Sequence, residues 1–149
     1  MSASAVTKPA LEMDQVIRLR TAVMRLSRRL RQQGGGGITP SQLAILGSLE
    51  RGGPQTLGQL AAAEGVQPPS ITRVVRALEE QRLVTRTTLA EDRRSAQVEL
   101  TAKARRLIEN IRRQRTAWLA QRVEALAPGE LADLERGIGA MELLLEVRA

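Results

Sequence analysis

The side chains best suited to chemistry in this sequence are cationic and hydroxylic. Ser70, Thr72, Arg73 and Arg76 crowd into a short stretch. A planar guanidinium makes a bidentate contact to guanine O6 and N7, and Ser and Thr hydroxyls suit phosphates or adaptable base contacts. Further on stand Arg86, Arg93 and Arg94, with Asp92 beside the last two. An Arg at the tip of a hairpin can enter a narrow minor groove, where the negative potential is enhanced. Asp92 would repel phosphate, so its expected task is to orient a neighbouring guanidinium through a bidentate pair. Ordinary solvation would also make a helix face polar, but exposed faces usually mix both signs. Here no acid follows Ser70 until Glu79 and Glu80. Taken alone, these wing charges are better accounted for by a charged turn serving only solubility.

Composition narrows the alternatives. The 149 residues include no Cys and no His. Disulfides, thiol redox sensing and Cys-containing zinc sites are therefore excluded, and the commonest general base and metal ligand are missing. An enzyme acting on nucleic acid would need paired carboxylates for metal ions, or a nucleophile with a base. Glu79-Glu80 and Glu91-Asp92 are adjacent pairs without such partners. No enzyme, cofactor or metal is expected. The formal net charge is +7, with Arg greatly outnumbering Lys. Such a balance favours a polyanion, although a genome rich in G and C would raise Arg without any function. With a single Trp and neither Tyr nor Phe, base-stacking platforms of the RRM or OB kind are disfavoured. No segment has the apolar length of a signal peptide or a membrane span, so no membrane partner is expected and the expected location is cytoplasmic.

The elements that must carry these residues follow from periodicity and capping. Residues 1–10 are small and polar and read as a disordered tail. From residue 11 to 33, Val16, Leu19, Val23, Leu26 and Leu30 form one apolar helical stripe flanked by Arg. The Gly34–Gly37 run ends it. Thr39-Pro40-Ser41-Gln42 and Thr56-Leu57-Gly58-Gln59 are capping boxes that open two helices, the second ended by Gly65. Pro68 and Pro69 open a fourth helix to about Gln81. On it Ile71, Val74, Val75 and Leu78 keep the core spacing, which turns Ser70, Thr72, Arg73 and Arg76 outward. Leu83–Leu89 and Ala96–Thr101 read as a hairpin across the charged turn 90–95. Thr101 caps a long helix to about Ala127. Pro128 starts the last helix, with Leu131, Leu134, Ile138, Met141 and Leu145 on one face.

A short capped helix, a turn at Gly65 and a second helix make a helix-turn-helix, and the hairpin after it makes a wing. The second helix of such a unit enters the major groove of duplex DNA. The expected class is mainly α: a winged helix-turn-helix over residues 39–101, a three-helix core plus a two-stranded wing, flanked by terminal helices at 11–33 and 102–149. The terminal apolar stripes lie outside a unit able to form its own core. A subunit interface accounts for them better than packing within one chain does.

Thr72-Arg73-Val74-Val75, Leu78-Glu79, Leu83-Val84-Thr85-Arg86, Asp92-Arg93-Arg94 and Val98-Glu99-Leu100-Thr101 together resemble the signature of the multiple antibiotic resistance regulator (MarR) family. The resemblance implies a homodimer with interlocked first and last helices, bound to a pseudo-palindromic operator, usually as a repressor. It sets Ser70, Thr72, Arg73 and Arg76 on the recognition helix, and matches Asp92 and Arg94 to a wing motif in which the Asp supports the Arg. A small-molecule effector is a secondary expectation. Two departures stand out: Arg82 occupies a helix-ending position where the family usually has Gly, and Ala104 replaces a common Gly. The rival reading is a basic winged-helix adaptor that binds protein instead of DNA.

Overall fold

A computed structural model describes residues 11–88 and 96–147. Helix α1 spans Met13–Arg31, α2 Pro40–Gly52, α3 Leu57–Glu64 and α4 Pro68–Glu80. Strands β1 (Gln55–Thr56), β2 (Val84–Thr88) and β3 (Ala96–Leu100) precede α5 (Ala102–Val123) and α6 (Pro128–Glu146). The expected tail falls in the undescribed residues.

Local chemistry sets the boundaries. The Thr39 hydroxyl accepts from the Gln42 amide at 3.2 Å while the Gln42 side chain accepts from the Thr39 amide at 2.9 Å. Thr56 and Gln59 repeat the exchange at 3.2 and 2.8 Å. Each box satisfies two amides that a helix start would leave without partners. Helix α1 starts two residues inside the expected boundary, where the Glu12 amide donates to Gln15 Oε1 and the Gln15 amide to the Glu12 backbone carbonyl, both at 2.9 Å. Helix α5 stops at Val123, short of the expected Ala127. Pro128 disfavours helical backbone at the residue before it, and Ala127 is extended, with ψ at 155°.

The core gathers Ile45, Leu46 and Leu49 from α2, Leu60 from α3, and Ile71, Val75 and Leu78 from α4. Leu83, Val84, Val98 and Leu100 cover it from the sheet, and Ala104 and Ile108 from α5. Val74, expected in this set, is half-buried at the edge of the cluster. The sheet has three strands in the order β1-β3-β2, not the two expected. Val84 pairs with Leu100 and Arg86 with Val98 along the hairpin, while Gln55 pairs with the other edge of β3 at Val98. A Gln-Thr pair carries no strand pattern. It becomes a strand only because α3 docks beside β3.

Two helix endings use the same hydrogen bonds with different residues. After α3, Val66 donates to the Ala61 carbonyl and Gly65 to Ala62, with Gly65 at φ 63°. After α4, Leu83 donates to Leu78 at 2.9 Å and Arg82 to Glu79 at 2.8 Å. Arg82 sits at φ 57°, the one non-Gly residue with positive φ among those described. Its carbonyl accepts from the Thr101 hydroxyl at 2.9 Å, and Leu78 and Leu83 are both core residues. This is the Schellman ending, a left-handed residue closed by an apolar contact across it. Left-handed backbone costs a residue with a Cβ roughly 1–2 kcal/mol, part of which Gly gives back through its freer unfolded chain. Arg82→Gly is therefore expected to stabilise the fold by about 0.5–1 kcal/mol, read as a higher denaturant midpoint with an unchanged slope. A lower midpoint would show that the Arg82 side chain contributes more than its backbone costs.

Candidate nucleic-acid interface

Helices α3 and α4, joined through Gly65, form the helix-turn-helix. The phase of α4 is set by Ile71, Val75 and Leu78, each 2% exposed or less. With those positions in the core, Ser70, Thr72, Arg73 and Arg76 are all exposed, as their spacing predicts. The Thr72 hydroxyl donates to the Pro68 carbonyl one turn back at 3.1 Å, which engages its one proton and leaves it as an acceptor. Pro68 at the first helical position has no amide to satisfy, so the exposed start of α4 carries one fewer free donor.

The arginines differ in freedom. Arg73 makes no ion pair with another described residue. Arg76 meets Glu80 one turn on at 3.3 Å, with both side chains about two-thirds exposed or more. A solvent-exposed i,i+4 pair contributes only about 0.3–0.5 kcal/mol, so a phosphate or base competes for this guanidinium easily. Arg86 is held more firmly. Its Nε lies 3.0 Å from Glu79 Oε1 with each side chain 30% exposed, tying β2 to the last turn of α4. The expected contact set thus divides into an outward group on α4 and one arginine that also braces the wing. Asp92, Arg93 and Arg94 lie outside the described residues.

Sequence reasoning missed the brace because Glu79 reads as one of two acids closing a helix. Only the pairing of β2 brings Arg86 back over it. It also missed Lys103, whose Nζ donates to the Gln81 carbonyl at 2.8 Å and covers the end of α4 from α5. Arg112 forks onto both oxygens of Glu50 at 3.0 and 2.5 Å, joining α5 to α2. Arg115 donates to the Gln33 carbonyl at 3.3 Å, joining α5 to the loop after α1.

The terminal helices present the other expected set. Val16, Val23, Leu131, Ile138, Met141 and Leu145 are exposed, with Leu145 88% exposed, while Leu19 and Leu134 are half-buried. Neither α1 nor α6 has a fully buried residue. Helix α1 packs on α5, whereas α6 has no extensive contact with any described element. No helix among the described residues is long and apolar enough to cross a membrane.

A sheet-backed helix-turn-helix with a cationic, hydroxyl-bearing outward helix defines a winged-helix protein of the nucleic-acid-binding class. The MarR family model matches residues 38–96. An HTH-type transcriptional regulator of Mycobacterium tuberculosis is 39% identical over 113 residues, 75% of this chain and 79% of that protein. The HTH-type transcriptional repressor MdtR of Bacillus subtilis is 30% identical over 95 residues, covering 64% of this chain and 61% of its own. Among solved structures, a transcriptional regulator from Pseudomonas aeruginosa superposes with a TM-score of 0.78 at 31% identity, over 91% of this chain and 97% of that one. S. aureus MepR bound to an oligodeoxyribonucleotide superposes with a TM-score of 0.66 at 22% identity, over 91% and 99%, a likeness of fold. The chain belongs to the MarR family. Its members are transcriptional regulators and not enzymes.

Arg73 gives the sharpest test of the outward face. Arg73→Ala is expected to weaken binding to a specific duplex by about 1–3 kcal/mol if it contacts a base. Thermal unfolding should barely change, because the side chain is exposed. A large fall in melting temperature would mean that the helix is phased differently.

Proposed function

We propose that this chain is a sequence-specific double-stranded DNA-binding transcriptional regulator, acting as a homodimeric repressor on a pseudo-palindromic operator. The observation that carries the reading is the division of α4: Ile71, Val75 and Leu78 in the core, Ser70, Thr72, Arg73 and Arg76 in solvent. In this reading those four enter a major groove, and Arg86, Arg93 and Arg94 extend the contact through the wing, with Asp92 orienting Arg94. The repressor role is supported by MdtR, and DNA binding by the oligodeoxyribonucleotide bound to a mutant of MepR. The cytoplasm is the compartment this reading implies.

Dimerisation through Val16, Leu19 and Val23 of α1 and Leu131, Leu134, Ile138, Met141 and Leu145 of α6 is supported by the apolar faces these helices leave uncovered. Water-exposed apolar area of this kind is worth about 25 cal/mol per Å² when buried. Removing residues from Pro128 onward is expected to give monomers or aggregates by sedimentation. A soluble, intact dimer after that deletion would place the interface elsewhere.

An effector is part of the proposal because a cleft of about 540 Å³ opens where α1, α2 and α5 meet. Ile38, Pro40 and Leu43 line it with apolar surface, and Arg31 and Arg115 supply charge. A ligand there would touch both the DNA-binding unit and the end of α1, one of the two helices proposed to join the subunits. The Gly34 loop beside it has little slack: φ is 76°, and a Cβ would lie 2.6 Å from Gln114 Oε1 and 3.2 Å from the Ile111 Cα.

The reading is tested against a protein-binding adaptor by titrating duplex DNA at several salt concentrations. Counterion release predicts that log K falls linearly with log salt, with a slope of about −0.9 per phosphate neutralised. A steep line is the expected result. No measurable binding to any duplex at low salt would leave the adaptor.

A further inference from the structure

The sequence from residue 15 to 49 contains no Asp or Glu, yet holds Arg18, Arg20, Arg25, Arg28, Arg29 and Arg31, all on α1. Solvated helix faces normally interleave the two signs, so a block of one sign calls for a partner of the other. The half-buried residues of α1 are Leu19, Ser27 and Leu30, which define its inward side. At about 100° per residue, Arg25 and Arg28 fall on the opposite side, with Arg29 on the flank. The apolar stripe proposed for the dimer therefore points away from them. A partner helix packed on that stripe lies on the side of α1 turned away from Arg25 and Arg28. Arg25, Arg28, Arg29 and Gln32 together line a concave surface of about 400 Å³. None of the three arginines makes an ion pair with another described residue.

The position of this surface identifies its partner. Gln32 also borders the cleft at the α1–α2 junction, which Pro40 and Ala44 share. Pro40 and Ala44 in turn border the hollow that contains Ser70 and Arg73 at the start of α4. One continuous surface thus runs from the recognition helix, across the start of α2, to the arginines of α1. The start of α2 and the hollows on either side of it lie between the two. The major groove is about 12 Å wide and is bordered by phosphates. With α4 seated in that groove, the far end of this continuous surface lies beyond the groove's edge, on the side of the bordering phosphates.

We propose that Arg25, Arg28 and Arg29 form a second phosphate-binding surface, gripping the sugar–phosphate backbone beside the groove that α4 enters. The proposal rests on the DNA-binding reading and adds α1 to its footprint. Phosphates carry no sequence information, so this surface contributes affinity and register, and α4 contributes discrimination.

The test compares the wild type, Arg73→Ala, and the triple variant Arg25→Ala, Arg28→Ala, Arg29→Ala. Each is titrated with the DNA upstream of the coding region and with a mixed-sequence duplex, over a salt series. The triple variant is expected to flatten the log K against log salt line by about 0.9 for each phosphate it no longer neutralises. It should weaken both duplexes by the same factor, with unchanged sedimentation and melting temperature. Arg73→Ala should instead narrow the gap between the two duplexes. A triple variant with the wild-type slope overturns the proposal. So does one that falls apart into monomers, because the arginines would then serve the subunit interface. If the wild type binds neither duplex, the DNA-binding reading itself fails, an outcome distinct from both.

Discussion

The burial of Ile71, Val75 and Leu78 against α2, α3 and β2 is the constraint from which the interface follows. A helix has one phase. Once three residues at this spacing lie in a core, Thr72, Arg73 and Arg76 between them face solvent, and Val74 and Ala77 lie at its edge. Each fully buried apolar side chain contributes about 1.5–3 kcal/mol, far more than the Arg76–Glu80 pair on the other side. Packing therefore decides the direction of the guanidiniums, and the exposed charges follow it.

The ends of α4 hold that phase. Gly65 turns the chain before it, and the Arg82 ending after it draws Leu83 into the core. Lys103 and Thr101 then join the same turn to α5. The Arg86–Glu79 pair ties β2 to the last turn of α4, which restrains the base of the wing against the recognition helix. That coupling matters to recognition: a groove reader and a wing that drift independently would lose orientational entropy again at each encounter.

The helices, their caps and the outward face were legible in the sequence because each rests on local rules. Thr39 with Gln42, and Thr56 with Gln59, encode their capping boxes within four residues. The inward residues of α4 encode its phase in the same way, save that Val74 stops at the edge of the core. What was hidden depends on contacts between distant residues. The strand at Gln55 exists only beside Val98, and Arg86 meets Glu79 only after the hairpin folds back. Arg112 finds Glu50 across 62 positions of sequence. The Arg82 departure was visible as an odd residue at a helix end, and the structure explains it as left-handed backbone held by two flanking core leucines.

The absence of Cys allows a direct test of whether α4 is the reading element. Single thiols are introduced by Ser70→Cys and Thr72→Cys on the outward face, and by Ala140→Cys on α6 as an exposed reference. The rate of thiol modification is then measured with and without the upstream duplex at low salt. The account predicts strong protection at positions 70 and 72 and none at 140. Duplex bound at saturation with all three thiols reacting at their free rates would contradict it.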